Sequence, residues 1–457
     1  MDIYVNPRTG IDDNALGRGR PAAPYRSLAR AAERAAAVEL ASGLPPGSFI
    51  GTIFARSGTY APPDERFPIM VPPSYDLVGT GSANVTIRFT GETRTAAGPP
   101  AVTYWGGEAI YAGRNVRGLT LIANPAPMYS CRGMRGIFVQ NDGSVIEDVI
   151  VDLNTAAAPP PDSRGNYDIA FQQQIVGEGI EIVVLDCACR NASRTGLGLH
   201  QCSGMITRTD LFAAALSCSD SAGLTVDTVN ARGAQRFDVN GNVRVQDCTI
   251  GDRADAHRSP ILTIKGDNPT APAVFGPNNI ADPLYIFAYG NVVIENNTLS
   301  HHYQFDISGP VRVIDNSIEP EGLVRYLLTV QFDENYPGVP VIQNNRFVAP
   351  SGPSFGGHHV NPIIVRASAD FGGGASLGNN NLGALFVRNT GFSTSADGDL
   401  VRAGTILVDP TDEPEAIIRF DNNLWDDTFS LDSLATRRFH VSTTPAVLSV
   451  GSPRPAP

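Results

Sequence analysis

Lysine is all but missing from this 457-residue chain: Lys265 is the single copy, so 33 of the 34 basic side chains are arginines. Genomic base composition explains a preference for arginine. It does not explain why one position keeps an ammonium, whose chemistry a guanidinium cannot copy. Positive charge is scarce as well. The 34 cations face 46 acidic residues, for a net charge of −12, which excludes the electrostatic footprint of a nucleic-acid partner. No basic run argues for a membrane surface, and no apolar stretch is long enough to span a bilayer. The six cysteines all fall between Cys131 and Cys248. Their spacing fits no zinc template, and their place at the ends of strand-like runs (L-D-C-A-C, V-Q-D-C) reads as buried thiols rather than disulfides. A secretory leader is also missing, since the sequence opens directly into M-D-I-Y-V; the expectation is a cytoplasmic protein, or a secreted one from which a leader has been removed.

The chain is instead rich in repetition. N-V-R-V-Q-D-C-T-I (Asn242 to Ile250), N-V-V-I-E-N-N-T-L (Asn291 to Leu299) and P-V-R-V-I-D-N-S-I (Pro310 to Ile318) follow one pattern, each behind a shorter alternating run: R-F-D-V-N-G, Y-I-F-A-Y-G, Q-F-D-I-S-G. A period near twenty residues with two or three short strands per unit predicts a parallel β-solenoid, in which each coil buries its faces by stacking on its neighbours. Weaker copies occur at Pro340 to Phe347, Ala384 to Phe392 and Ile417 to Trp425. Asn297, Asn316 and Asn345 recur at one position and predict a structural ladder of stacked amides. The expected organisation is an N-terminal cap and first strands over 1–81, coils over 82–430, and a C-terminal strand or tail over 431–457. T-A-A-A-P-P-P-D-S-R-G (Thr155 to Gly165) is expected to be a projecting loop, because proline cannot donate to a ladder.

Residues 3 to 81 read Y-V-N-P-R-T-G-I-D-D-N, A-P-Y-R-S-L-A-R-A-A-E-R-A, G-T-I-F-A-R-S-G-T-Y and F-P-I-M-V-P-P-S-Y-D-L-V-G. This text resembles the N-terminal region of the pectate-lyase-like superfamily of right-handed parallel β-helix proteins. The resemblance implies an all-β fold, a single-stranded right-handed parallel β-helix with an N-terminal capping helix. Ser27 is suited to cap that helix, with Leu28, Ala32 and Ala35 on one face. Many members of that superfamily are polysaccharide lyases, hydrolases or epimerases, and others are tailspikes or surface proteins. The D-P-H-D of alginate epimerases and the G-H-G and R-I-K of polygalacturonases do not occur here.

Aligning the coils by their aliphatic alternation places Leu197, Leu199, Phe237, Val239, Ile286, Phe305 and Ile307 inward and their neighbours outward. Two outward columns result: His200, Ser219, Asp238, Lys265, Phe287, Asp306, and beside them Gly198, Ser217, Arg236, Thr263, Tyr285, Gln304. A slip of one residue would turn His200 inward and Asp220 outward. The candidate catalytic residues are Lys265, Asp238, His200 and Tyr285. Arg236, Asp306, Gln304, Phe287, His257 and Asp220 are the candidate substrate contacts. No residues are spaced to ligate a metal, no cofactor is expected, and calcium has no motif behind it.

Cations, a base and a proton carrier on one face suit removal of a proton α to a carboxylate, as in uronate β-elimination or C5 epimerisation. The partner expected is therefore a carbohydrate, and a homo-oligomer is compatible with the sequence. Three alternatives stand beside this reading: a glycoside hydrolase or transferase-type enzyme using an aspartate pair, a non-catalytic glycan-binding or structural β-helix, and an intracellular isomerase or cyclase acting on a small molecule. With coils about 4.8 Å apart, Asp238 and Asp306 would lie roughly 14 Å from one another.

Overall fold

The computed structural model describes the chain apart from residues 16, 46–47, 90–91, 97–101, 124–130, 153–172, 191–194, 213, 233–235, 252–260, 282–283, 301, 320–325, 349–362, 381, 383–391, 395–399, 403–405, 414, 426–438, 451–453 and 456–457. The proline-rich loop expected at 155–165 lies outside the described residues, as does the repeat copy at 384–391. The described chain is an all-β parallel solenoid with one helix at its N-terminal end. It forms two compact units, Met1–Arg236 and Phe237–Pro457.

In the first unit three aliphatic columns build the core. On one side Ile69, Ile110, Ile137, Ile175, Leu197 and Leu216 pair in parallel register, coil upon coil. Ile3, Ile53, Leu77, Val116, Ile146, Val184, Ile206 and Val226 form the second column. Tyr60, Ile87, Leu121, Val151, Cys189, Leu211 and Ala231 form the third. Every one of these side chains is buried. A short strand with period-two alternation can bury one face only against the coils before and after it, which is why the same position is apolar in each repeat. The second unit repeats the plan, with Val245, Phe275, Ile294, Val313 and Ile342 in one column and Ile250, Ile280, Leu299, Ile318 and Phe347 in another.

The expected asparagine ladder is present in the second unit and is longer than the sequence suggested. Asn297, Asn316, Asn345, Asn380 and Asn423 are all buried. Each of the first four donates from Nδ2 to the Oδ1 of the next at 2.9–3.0 Å. Each of those four also donates its backbone N–H to that same oxygen. Five described cysteines are buried free thiols, as their spacing predicted.

The helix, Leu28–Ser42, begins where expected: Ser27 accepts from the Arg30 N–H, and Leu28, Ala29, Ala31, Ala32 and Ala35 are buried. A second cap comes from a distance. Glu65, itself buried, accepts the Leu28 and Ala29 N–H groups at 2.7 and 2.8 Å. These two amides belong to the first turn, whose N–H groups have no partner inside the helix. Burial outweighs the amide donors and pushes the Glu65 carboxyl up to about 7 from its ordinary 4.5. Between those pH values the folded chain holds a proton that the unfolded chain has released, so the contribution of this group to stability falls as pH rises through that window and is level above it. Glu65→Gln is expected to flatten this slope when melting temperature is compared at pH 5 and pH 8. Glu65→Ala, which leaves two buried donors unpaired, is expected to cost about 1–3 kcal/mol at either pH.

Candidate functional site

In the second unit the strand Leu284–Gly290 buries Ile286 and Ala288, which turns Tyr285, Phe287 and Tyr289 to the outer face. Their rings run parallel along the strand, with centroids 6.4 Å apart for Tyr285 and Phe287 and 6.3 Å for Phe287 and Tyr289, each pair within 5° of coplanar orientation. Tyr336, which follows the strand Tyr326–Val330, extends the row at 5.8 Å from Tyr289. Its hydroxyl donates to Asp267 Oδ1 at 3.2 Å. Lys265 places its ammonium 5.9 Å from the Tyr289 ring centroid, within cation–π range. The result is a half-exposed aromatic row with the Lys265 ammonium beside its third ring.

Tyr289 and Tyr336 hold their protons tightly. The Tyr289 pKa is raised by burial first and then by the charges of Asp306 and Asp333. Burial also leads for Tyr336, followed by Asp267. Each is therefore a proton donor rather than a phenolate at neutral pH.

Lys265 faces outward as the sequence implied, but the column assignment was two residues out of register. The strand Ile261–Gly266 pairs Thr263 with Phe287 and Lys265 with Tyr289, not Lys265 with Phe287 and Thr263 with Tyr285. Residues 252–260 precede this strand, and with no repeat text there the alternation fixed the parity but not the offset. A slip of two keeps every side chain on its face and changes only its neighbours. Tyr289 was missed for this reason, although three aromatics at alternate positions in Y-I-F-A-Y already marked a row.

Asp306 is on the outer face, in register between Phe287 and Thr329, but it is only 3% exposed. Gln304 donates from Nε2 to its Oδ2 at 2.6 Å. It is thus a buried carboxylate beside the row rather than a freely exposed substrate contact. Asp238 is half-buried on the outer face of the strand Arg236–Gln246, which pairs with the Lys265 strand. Three coils separate it from Asp306, roughly 14 Å, beyond the 5–9.5 Å needed by a pair of glycosidase carboxylates. His257 lies outside the described residues, as do His301 and the pair His358 and His359. Among the described residues no cluster of three or more histidine, cysteine or acidic side chains is placed to hold a metal.

In the first unit, His200 is outward, with a side chain 44% exposed. Its Nδ1 lies 2.9 Å from Ser219 Oγ and 3.7 Å from Asp220 Oδ2. Glu178 and Ser219 occupy the coils on either side in the same register. Asp220 is exposed because it has a φ of 51° at a turn, not because the strand has slipped. Arg236, the last residue of this unit, is exposed.

No family model matches the chain, and no curated protein matches it. Among solved structures it is similar to the catalytic domain of a GH87 α-1,3-glucanase in complex with nigerose (12% identity, TM-score 0.38, covering 92% of this chain and 67% of that one). It is also similar to the A-module of the mannuronan C-5 epimerase AlgE4 of Azotobacter vinelandii (13% identity, TM-score 0.32, covering 93% and 88%). A third is a tailspike protein of the Acinetobacter baumannii bacteriophage Fri1, a capsular polysaccharide depolymerase (10% identity, TM-score 0.30, covering 100% and 62%).

The geometry at Tyr336 has a measurable consequence. Asp267→Asn removes a negative charge 3.2 Å from the hydroxyl, so Tyr336 is expected to ionise at lower pH than in the parent protein. A tyrosine-resolved NMR titration reads this directly; an unchanged Tyr336 titration would contradict the contact.

Proposed function

We propose that the protein is a carbohydrate-active enzyme that binds a poly- or oligosaccharide along the row Tyr285, Phe287, Tyr289 and Tyr336, with uronate chemistry at Lys265. The observation that carries this is the lone ammonium set beside an open line of parallel rings. Successive aromatic faces suit successive apolar sugar faces, and their hydroxyl edges supply polar contacts. In the proposed step the C5 proton of a uronate passes to a base, for which Asp238 on the adjoining coil is the candidate. Lys265 neutralises the carboxylate as negative charge spreads onto it. In elimination the C4–O bond then breaks, and the leaving oxygen takes a proton from the Tyr289 phenol. In epimerisation a proton returns to C5 from the opposite face and no bond to C4 breaks.

Hydrolysis by an aspartate pair is disfavoured by the spacing of Asp238 and Asp306. Glycan binding without turnover is the second reading, since the aromatic row suffices for it. A panel of acidic and neutral polysaccharides, followed by absorbance of the unsaturated product, by proton exchange at C5 and by a reducing-end assay, separates these readings. On an acidic substrate, Lys265→Ala is expected to lower kcat/KM by about 100-fold or more, and Lys265→Arg to retain partial activity if charge alone is needed. Tyr289→Phe is expected to reduce elimination. Unchanged turnover in Lys265→Ala would remove Lys265 from the mechanism.

A further inference from the structure

A concavity lies on a face of the first unit away from its first-strand column. The ends of four consecutive third strands, Ser144–Asp152, Ala188–Arg190, Asp210–Phe212 and Asn230–Arg232, line a pocket of about 530 Å³. Parallel register stacks Asp152, Arg190, Phe212 and Arg232 in one column and sets Asp210 beside Asn230 in the next. Phe212 is therefore in register between Arg190 and Arg232, one coil to either side, and remains 52% exposed.

Arg232 is held by a chain of side chains. Asn230 Nδ2 donates to Asp210 Oδ1 at 3.3 Å, and Arg232 Nε donates to Asn230 Oδ1 at 3.1 Å. Using Nε in this way leaves the two terminal nitrogens as a fork, and Arg232 forms no ion pair among the described residues. A planar fork of this kind matches a carboxylate in bidentate fashion.

We propose that this pocket binds an acidic sugar residue, a uronate, with its carboxylate on Arg232 and its ring against Phe212. The lining chooses among anions. Two carboxylates, Asp152 and Asp210, balance the two arginines, so a dianion such as phosphate gains little net attraction and meets repulsion. A monoanion that also carries hydroxyl donors satisfies both kinds of group at once. The proposal depends on the carbohydrate reading only for the class of ligand, and involves neither Lys265 nor the aromatic row.

Its test is binding without turnover. Sodium glucuronate, glucose, acetate and inorganic phosphate are titrated in turn against the full chain, by calorimetry or by chemical-shift changes. Glucuronate is expected to bind saturably and at least about tenfold more tightly than the other three. Arg232→Gln and Phe212→Ala are each expected to weaken it by about tenfold, the loss of one charge-assisted contact or one stacked ring. Arg232→Lys, which keeps the charge and loses the fork, falls between. Circular dichroism confirms that each variant is folded, and Tyr289→Ala reports any glucuronate held at the row instead. Equal binding of phosphate or glucose, or glucuronate affinity untouched in both Arg232→Gln and Phe212→Ala, overturns the assignment. Glucuronate binding lost only in Tyr289→Ala also overturns it, by placing the acidic sugar on the row. Absence of polysaccharide turnover would bear on Lys265 and not on this pocket.

Discussion

The constraint on which the rest depends is a one-residue left-handed turn between strands. Asp148, Asp186, Arg208, Thr228, Asp247, Asn296, Asp315, Asn344, Asn379 and Asn422 all have φ between 46° and 60°. Such a conformation costs a residue with a Cβ about 1–2 kcal/mol, least for asparagine and aspartate. The residue after the bend ties it down by adding a side-chain hydrogen bond to the carbonyl two positions back, which in several coils also accepts a backbone N–H from the adjacent coil. Asn316 and Asn345 donate Nδ2 to the carbonyl at i−2 at 2.9 Å. Cys187, Thr209 and Cys248 do the same with a thiol or hydroxyl at 3.0–3.2 Å. The turn after Gln201 and that after Asp220 use Cys202 and Ser221 in the same way.

This rule explains two features with no other evident connection. Cys187, Cys202 and Cys248 follow their bends because a small, buried, weak donor suits that position. From Asn297 onward the same position is asparagine, whose Oδ1 also accepts the backbone N–H of the asparagine one coil before it, so each turn is tied to the one beyond it. Arg208 and Asp186, both left-handed, instead form a bidentate ion pair between adjacent coils, which holds the Asp186 carboxyl below its usual range. Fixed turns fix register, and fixed register is what converts alternate outward residues into columns. The aromatic row and the Arg190, Phe212, Arg232 column are both products of that arithmetic.

The parts of the fold legible in the sequence were those that repeat. Inward Leu197, Phe237, Ile286 and Phe305 were assigned correctly because a strand's parity is fixed by which face is apolar. The helix cap at Ser27 was legible because it is local. Glu65, the partner cap, was not, since 37 residues separate it from Leu28 and no spacing rule links them. The same limit applies to the site. Lys265 and Tyr285 could be named from one strand each, but whether Lys265 meets Tyr285 or Tyr289 depends on an offset set by residues outside any repeat. Tyr336 comes from a connection whose path no periodicity encodes.

That difference also bears on chemistry. Asp306 shows that an outward position is not the same as an exposed one: parity puts it on the face, while Gln304, Phe287 and Thr329 enclose it. Burial of the Tyr289 phenol raises its pKa, and the buried carboxylate of Asp306 adds to that shift. With Lys265 over the same ring, the row presents a cation and a protonated acid at its third ring and apolar faces along the rest. On the proposed reading, a neutral glycan would use only the faces, whereas a uronate-containing chain would use the faces and the cation together.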